Sequence, residues 1–275
     1  MCDKILYNTS HKRRAKYMKV IDVHAHVFPD AVAQKAVDNL RTYYSYTMHG
    51  NGRFDDLKAS ADEAGIEKLV IHSTATKPHQ VEDVNNFTSS LIGEKIIGFG
   101  SVHPDYPEKE KEIERIISLG LKGIKLHPDF QKFNIDDEKM FPVYDYLSGK
   151  LPVLFHVGDI NSDCSSPRRL AKVVDMFPHL TVIAAHLGGY SQWDEAEEYL
   201  IGKDIYIDTS STFRALSDER IESIIKKHDI NKVLFGTDYP LERHKGTVEH
   251  TLRLNLSDGA KEKILYTNAY NLLCK

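Results

Sequence analysis

Short apolar runs alternate with longer amphipathic stretches along the chain. Eight of these runs are nearly continuous in Val, Ile, Leu and Phe, as is typical of parallel strands that are covered on both faces. The predicted strands are residues 19–23, 68–73, 96–102, 123–126, 153–156, 181–185, 205–208 and 232–236.

Residues 107–119, 166–177 and 218–228 between these runs have apolar positions at helical spacing. The middle segment opens with Ser166-Pro167, which predicts an N-cap followed by proline in the first turn. About eight strands alternating with helices predict an α/β fold, a single (β/α)8 TIM barrel over residues 19–275. An open doubly wound sheet is the alternative, but no glycine-rich phosphate loop follows the first strand.

Two segments lie outside this repeat. Residues 1–18 form a basic N-terminal extension, predicted to be a disordered leader or an appendage before a biological start at Met18. Residues 41–53 are rich in tyrosine and contain Gly50 and Gly52, and they predict a long first βα-loop. Loops on that face of a barrel cover the active site, so this segment is the expected lid and selector of substrate.

Composition narrows the function classes. The 275 residues carry a net charge of −4 with histidine neutral, which gives no electrostatic case for binding nucleic acid or a membrane surface. No stretch approaches the roughly 20 apolar residues of a membrane span. Cys2, Cys164 and Cys274 are odd in number and widely scattered, which favours a reducing compartment over a disulfide framework. We therefore expect a cytoplasmic protein that acts on a small molecule.

Metal-competent side chains stand at the ends of several predicted strands. His24 and His26 are one residue apart, so both imidazoles can face the barrel axis and share an ion. His156 ends a run of three apolar residues and is the predicted third nitrogen ligand. Asp238 can bind the same ion with one oxygen and accept a proton with the other, or it can cap a helix. Three imidazoles and one carboxylate suit a zinc-like divalent ion and leave a position for water or substrate.

Four further residues are candidates for catalysis or substrate binding. His186 precedes two glycines and is either an acid, base or electrophile beside the ion or a ligand of a second one. Lys125 has three interpretations: an ammonium that anchors a carboxylate, a carboxylated lysine that bridges two metals, or an ion-pair partner of Asp238 or another acid. His127 shares the parity of Lys125 and is predicted to bind substrate, as is Arg214 in the loop after the seventh strand.

These residues resemble the amidohydrolase superfamily, and more narrowly its amidohydrolase 2 branch, which includes aminocarboxymuconate-semialdehyde decarboxylase. The resemblance rests on four motifs in this order: IDVHAH at 21–26, GIKLHP at 123–128, AHLGG at 185–189 and GTDYP at 236–240. It implies that His24, His26, His156 and Asp238 bind one divalent metal, usually zinc, with His186 beside it. It also implies the barrel, and a homodimer is a family expectation.

Hydrolases, lactonases and decarboxylases share such a site, so the motifs do not choose a reaction. The chain is shorter than many decarboxylases of the branch, and our leading hypothesis is a metal-dependent hydrolase of a small polar, anionic substrate. Metal-activated water would attack the substrate, Asp238 would move the proton, and His186 would stabilise charge. The alternatives are a non-oxidative decarboxylase on the same site and a catalytically silent metal-binding protein. Selectivity is expected from the loops that hold Tyr43, Tyr44, Tyr46, Asp159, Trp193, Arg243 and His244.

Overall fold

A computed structural model describes residues 18–275. The expectation of a disordered leader over residues 1–17 lies outside the described part of the chain. The eight predicted strands all form within residues 18–275, and most are shorter than the apolar runs that predicted them. They are β1 Ile21–His26, β2 Lys68–His72, β3 Ile96–Phe99, β4 Ile124–Leu126, β5 Val153–Phe155, β6 Val182–Ala184, β7 Tyr206–Asp208 and β8 Val233–Leu234.

All paired strands are parallel and follow sequence order. β1, β2 and β3 form one sheet, and β4 to β8 form a second. Single parallel bridges, Gly100 with Ile124 and Ala25 with Tyr239, link the two sheets at both edges. This is the cyclic strand order of a (β/α)8 barrel, with two of its eight junctions reduced to isolated bridges.

Helices follow the strands and cover the outside of the sheets. Most carry one apolar face, as α/β packing requires. In chain order they are α1 Asp30–Tyr44, α2 Phe54–Ala64, α3 Val81–Ser90, α4 Lys109–Ser118, α5 Pro128–Gln131, α6 Phe141–Leu147, α7 Pro167–Met176, α8 Trp193–Tyr199, α9 Asp218–Lys227, α10 His244–Arg253, α11 Asp258–Glu262 and α12 Asn268–Leu273. A π-helical turn, Lys263–Thr267, joins the last two.

The predicted first βα-loop over residues 41–53 is wrong at its start. Helix α1 continues through Tyr44, and Ser45 ends it in the left-handed region at φ 56°. Tertiary contacts explain the extension, because the Tyr43 and Tyr44 hydroxyls both donate hydrogen bonds to Asp159, more than 100 residues away. Only the remaining residues, 45–53, form the loop between α1 and α2.

Inside the barrel, a layer of buried apolar side chains lies directly beneath the polar site, on the side of the strands' amino ends. Val70 of β2 and Leu154 of β5 belong to a buried inner cluster. His72 and His156 follow two residues later, on the same face of each strand, and are also buried. The carboxyl ends of the strands therefore hold the polar groups, where barrel enzymes build their active sites.

Candidate metal centre and active site

His24, His26 and Asp238 form a compact cluster of ligand atoms. His24 Nε2 lies 3.4 Å from His26 Nε2, and Asp238 Oδ1 lies 3.4 Å and 3.2 Å from these two nitrogens. Donors bound at about 2.1 Å to one tetrahedral ion lie about 3.4 Å apart. The three residues therefore fit one divalent ion with little rearrangement.

The local backbone brings these residues together. The pairing of β1 with β2 shifts register between Asp22 and Ala25, so β1 carries an extra residue beside His24. Asp238 has φ 62°, in the left-handed region that favours glycine. Such a conformation costs about 1–2 kcal/mol in a non-glycine residue. Strain of this kind is common at functional sites, and here it points Asp238 toward the two histidines.

Asp208 at the end of β7 orients His24. Asp208 Oδ2 accepts a hydrogen bond from His24 Nδ1 at 2.9 Å, and both side chains are fully buried. The donation fixes the ring so that Nε2 keeps its lone pair toward the cluster. Burial alone would raise the pKa of Asp208, but His24, His186 and the Ser210 hydroxyl hold that pKa below its usual value.

Burial favours the neutral form of two imidazoles at the site, His26 and His186. Burial lowers the pKa of His26 to about 4, although Asp238 opposes the shift. Burial also lowers the pKa of His186 well below its usual value. The pKa of the Asp238 carboxyl is held well below its usual value, because the attraction of His24, His26 and His186 outweighs its burial. These are the protonation states in which imidazole and carboxylate bind metals.

Lys125 is fully buried, and its Nζ lies 3.4 Å from His24 Nε2. Burial lowers the pKa of Lys125 to about 8, against the opposing attraction of Asp238 and Asp208. Within residues 18–275, no carboxylate lies within 4.0 Å of Nζ, so the ion pair that was one interpretation of Lys125 does not form. Its amine borders the ligand cluster.

His156 and His186 form a second layer beside the cluster. His186 Nε2 lies 3.0 Å from His156 Nδ1, and the ring centroid of His186 lies 5.1 Å from that of His24. The structure thus brings three of the four predicted ligands into mutual contact and places His156 one imidazole away. The assignment of His156 as a ligand of that ion stays a prediction.

The two remaining predicted substrate residues differ in position. His127 stacks between Phe130 and His156, with ring centroids 3.9 Å and 4.0 Å away. Arg214 instead lies over the Tyr46 ring, 4.3 Å from its centroid, and is not among the residues that line the adjacent cavity.

A cavity of about 730 Å³ opens onto this site. One wall is helix α1 with Tyr43 and Tyr44, and another is helix α3. Apolar and aromatic side chains line most of the surface, and His26 and Asp238 stand at its inner end. Pockets of this size and character accept small organic ligands.

A family comparison decides the class of the protein. The amidohydrolase 2 profile, described as amidohydrolase, matches residues 21–274. The chain belongs to the amidohydrolase family. It is therefore a metal-dependent enzyme, as the motifs predicted. No curated protein matches the chain.

Solved structures confirm the barrel of this amidohydrolase. An uncharacterised TIM-barrel protein from Bordetella bronchiseptica matches with TM-score 0.73 and 20% identity, over 92% of this chain and 98% of the other. A 5-carboxyvanillate decarboxylase from Novosphingobium aromaticivorans, complexed with manganese and 4-hydroxy-3-methoxy-5-nitrobenzoic acid, matches with TM-score 0.70 and 16% identity over 93% and 96%. A 2,6-dihydroxybenzoate decarboxylase from Rhizobium matches with TM-score 0.66 and 15% identity over 93% and 98%.

Sequence reasoning missed two residues of the amidohydrolase site. Asp208 ends the predicted seventh strand, and His72 lies at the end of the predicted second strand. The His72 ring contacts those of His24 and His26, with centroids 4.9 Å and 4.4 Å away. Both carry the signal that identified His156, a polar residue at the end of an apolar run, but neither lies in a recognised motif.

In the described part of this amidohydrolase, no helix combines the length and the hydrophobicity that crossing a membrane requires.

Proposed function

We propose that this amidohydrolase is a metal-dependent, non-oxidative decarboxylase of a small aromatic carboxylic acid. The observation that carries the proposal is the aromatic, largely apolar cavity that ends at His26 and Asp238. Two of the structurally similar proteins are decarboxylases of aromatic acids. Similarity extends over 96% and 98% of their chains, so the chain length that favoured hydrolysis does not separate the two reactions.

The aromatic residues of the cavity would hold the substrate ring. Tyr44, His156 and Tyr190 are mutual neighbours, with ring centroids 5.1–6.2 Å apart. Offset and edge-on contacts with such rings contribute about 0.5–1.5 kcal/mol per pair beyond buried area. The Lys125 amine would attract the carboxylate toward the ligand cluster, because no carboxylate in the described part of the chain lies within 4.0 Å of its Nζ to neutralise it.

His24, His26 and Asp238 would hold the ion, and the manganese complex of the similar decarboxylase supports Mn²⁺ beside Zn²⁺ as its identity. A divalent ion there supplies a Lewis acid for the substrate oxygens. In decarboxylation the bond between ring carbon and carboxylate breaks, and its electron pair stays on the ring carbon. Asp238 lines the cavity and would relay a proton from water to the ring carbon, which forms the new carbon–hydrogen bond. His186 would stabilise charge on the substrate oxygens.

The test is turnover in D₂O with Mn²⁺-loaded or Zn²⁺-loaded protein and a panel of hydroxylated benzoic acids. Decarboxylation releases one carbon dioxide and places one deuterium on the ring carbon of each product, which mass spectrometry detects. Hydrolysis of esters or lactones without carbon dioxide release would refute the proposal in favour of the hydrolase hypothesis. The His24→Ala/His26→Ala variant is the control, since it should lose both bound metal and turnover.

A further inference from the structure

Asp22 is a fully buried carboxylate to which the proposed reaction gives no task. It lies in β1, two residues before His24, and is not among the residues that line the cavity. Burial of a carboxylate is unfavourable unless hydrogen bonds replace its contacts with water. The groups that bind Asp22 therefore explain why it is there.

Three hydrogen bonds reach Asp22 from the two segments that carry the metal ligands. Oδ1 accepts from the backbone N–H groups of His24 at 2.8 Å and Thr237 at 3.1 Å. Oδ2 accepts from the Thr237 hydroxyl at 2.5 Å. His24 is one residue of the ligand cluster, and Thr237 directly precedes Asp238, which is another. One carboxylate thus joins β1 to the turn after β8.

These bonds stand where the backbone pairing of the two segments is irregular. The Val23 N–H donates to the segment after β8 at 2.9 Å, and the His24 carbonyl oxygen accepts from the Asp238 N–H at 2.8 Å. A regular parallel ladder uses the N–H and the carbonyl of the same residue, so the pattern slips by one residue at His24. The Thr237 N–H falls at this slip and donates to Asp22 instead.

Asp238 needs such support because its backbone is strained, with φ at 62°. Conformations of this kind persist only where the surrounding structure fixes the flanking residues. Asp22 holds Thr237 on one side, and the Thr237 hydroxyl accepts from the Tyr239 N–H at 3.2 Å on the other. Without Asp22 the turn would relax and carry the Asp238 carboxylate away from the two histidines.

His244 holds Asp22 from the side of the helices. It is the first residue of α10 and is fully buried, and its Nε2 lies 3.0 Å from Asp22 Oδ2. Its Nδ1 lies 2.8 Å from the Ser60 hydroxyl in α2. The carboxylate is therefore tied to two outer helices as well as to the two segments of the site, which limits its movement.

We propose that Asp22 is a positioning residue for the metal centre, because it fixes the backbone beside His24 and the backbone beside Asp238 to one rigid group. This inference rests on the metal centre of the proposed function and not on its reaction. Asp208 acts differently, since it binds the imidazole of His24. Removal of both acceptor oxygens of Asp22 should weaken metal binding, and an acceptor kept at Oδ1 should preserve it.

The test compares Asp22→Leu with Asp22→Asn in a Zn²⁺ titration of chelator-treated, full-length protein. Leu matches Asp in the number and branching of its side-chain heavy atoms, but only Asn keeps an oxygen for the two backbone N–H groups. We expect Asp22→Leu to bind Zn²⁺ about 10–100-fold more weakly, and Asp22→Asn to stay within about threefold of the wild type. The visible spectrum of bound Co²⁺, which reports ligand geometry, should change in Asp22→Leu alone.

Glu112→Leu is the matched control for loss of a buried carboxylate. Glu112 is 3% exposed and accepts from Asn85 at 2.6 Å and from Arg115 at 2.7 Å, in the helical layer rather than at the site. It should lower the stability of the apo protein to urea and leave Zn²⁺ affinity and the Co²⁺ spectrum unchanged. A purely structural role of Asp22 would give the same result for Asp22→Leu.

Two results would overturn the proposal. One is an Asp22→Leu variant with the Zn²⁺ affinity and the Co²⁺ spectrum of the wild type. The other is an equal loss of affinity in Asp22→Asn, which would show that the charge of Asp22 acts on the ion and not its hydrogen bonds. Should Asp22→Leu fail to fold, Thr237→Val and its conservative partner Thr237→Ser make the same comparison from the other end of the bond. Absence of carbon dioxide release would refute the proposed reaction and leave these affinities unaffected.

Discussion

Removal of one carboxylate oxygen from Asp208 should weaken metal binding without touching a ligand. Asp208 Oδ2 accepts from His24 Nδ1 at 2.9 Å, while Oδ1 accepts from the Ser210 and His186 backbone N–H groups at 2.9 Å and 3.1 Å. Asp208→Asn keeps one acceptor oxygen for the two backbone donors. The new amide then presents N–H toward His24 Nδ1.

The size of the effect follows from that exchange. A buried hydrogen bond to a charged group is worth about 1.5–3 kcal/mol, and the variant loses it. Because an amide N–H now faces Nδ1, His24 is driven to place its proton on Nε2, the atom that faces His26 and Asp238. Loss of such a carboxylate partner typically lowers metal affinity 10–100-fold, or about 1.4–2.7 kcal/mol.

The assay is a Zn²⁺ titration of chelator-treated protein, with Asp204→Asn as the matched control. Asp204 pairs with Lys232 on the surface, so the same chemical change there should leave the Zn²⁺ dissociation constant unaltered. A dissociation constant for Asp208→Asn within twofold of the control would refute the positioning role. Apo-protein melting curves would show whether the variant merely lost its fold.

Three further predictions concern single residues. Lys125→Met should keep the wild-type ion count but raise KM for the carboxylic acid about 10–100-fold, since it removes a charged donor. Loss of an ion in bicarbonate buffer would instead identify a carboxylated lysine. Gly158→Ala should destabilise the fold by at least about 1–2 kcal/mol in urea unfolding, because φ is +82° and a Cβ would lie 2.4 Å from the Gly189 oxygen; an unchanged midpoint would contradict this. Burial lowers the pKa of His228 in the fold, so the unfolded chain binds more protons and stability falls as pH drops below about 6.5. His228→Gln should therefore make stability fall less steeply as pH drops, and an identical slope would argue against it.

The strands could be predicted because burial on both faces leaves a direct mark on the sequence. Strand ends were less certain. The run at 96–102 forms a strand only over Ile96–Phe99, and Gly100 pairs with Ile124 only through an isolated bridge. The end of helix α1 could not be predicted, because it depends on hydrogen bonds to Asp159. Local propensity contains no information about a partner 115 residues away.

The candidate site also has a part that the sequence predicts and a part that depends on distant contacts. A polar residue at the end of an apolar run marks a position at the mouth of the barrel, and this signal identified His24, His156 and Asp238. The signal is equally present at His72 and Asp208, so it finds the ring of strand ends but does not rank its members. Nor does it say which nitrogen of an imidazole faces which neighbour. For His156, Nδ1 points to His186 and Nε2 to Asp159. The first contact joins side chains that follow two different strands, so local sequence could not have indicated it.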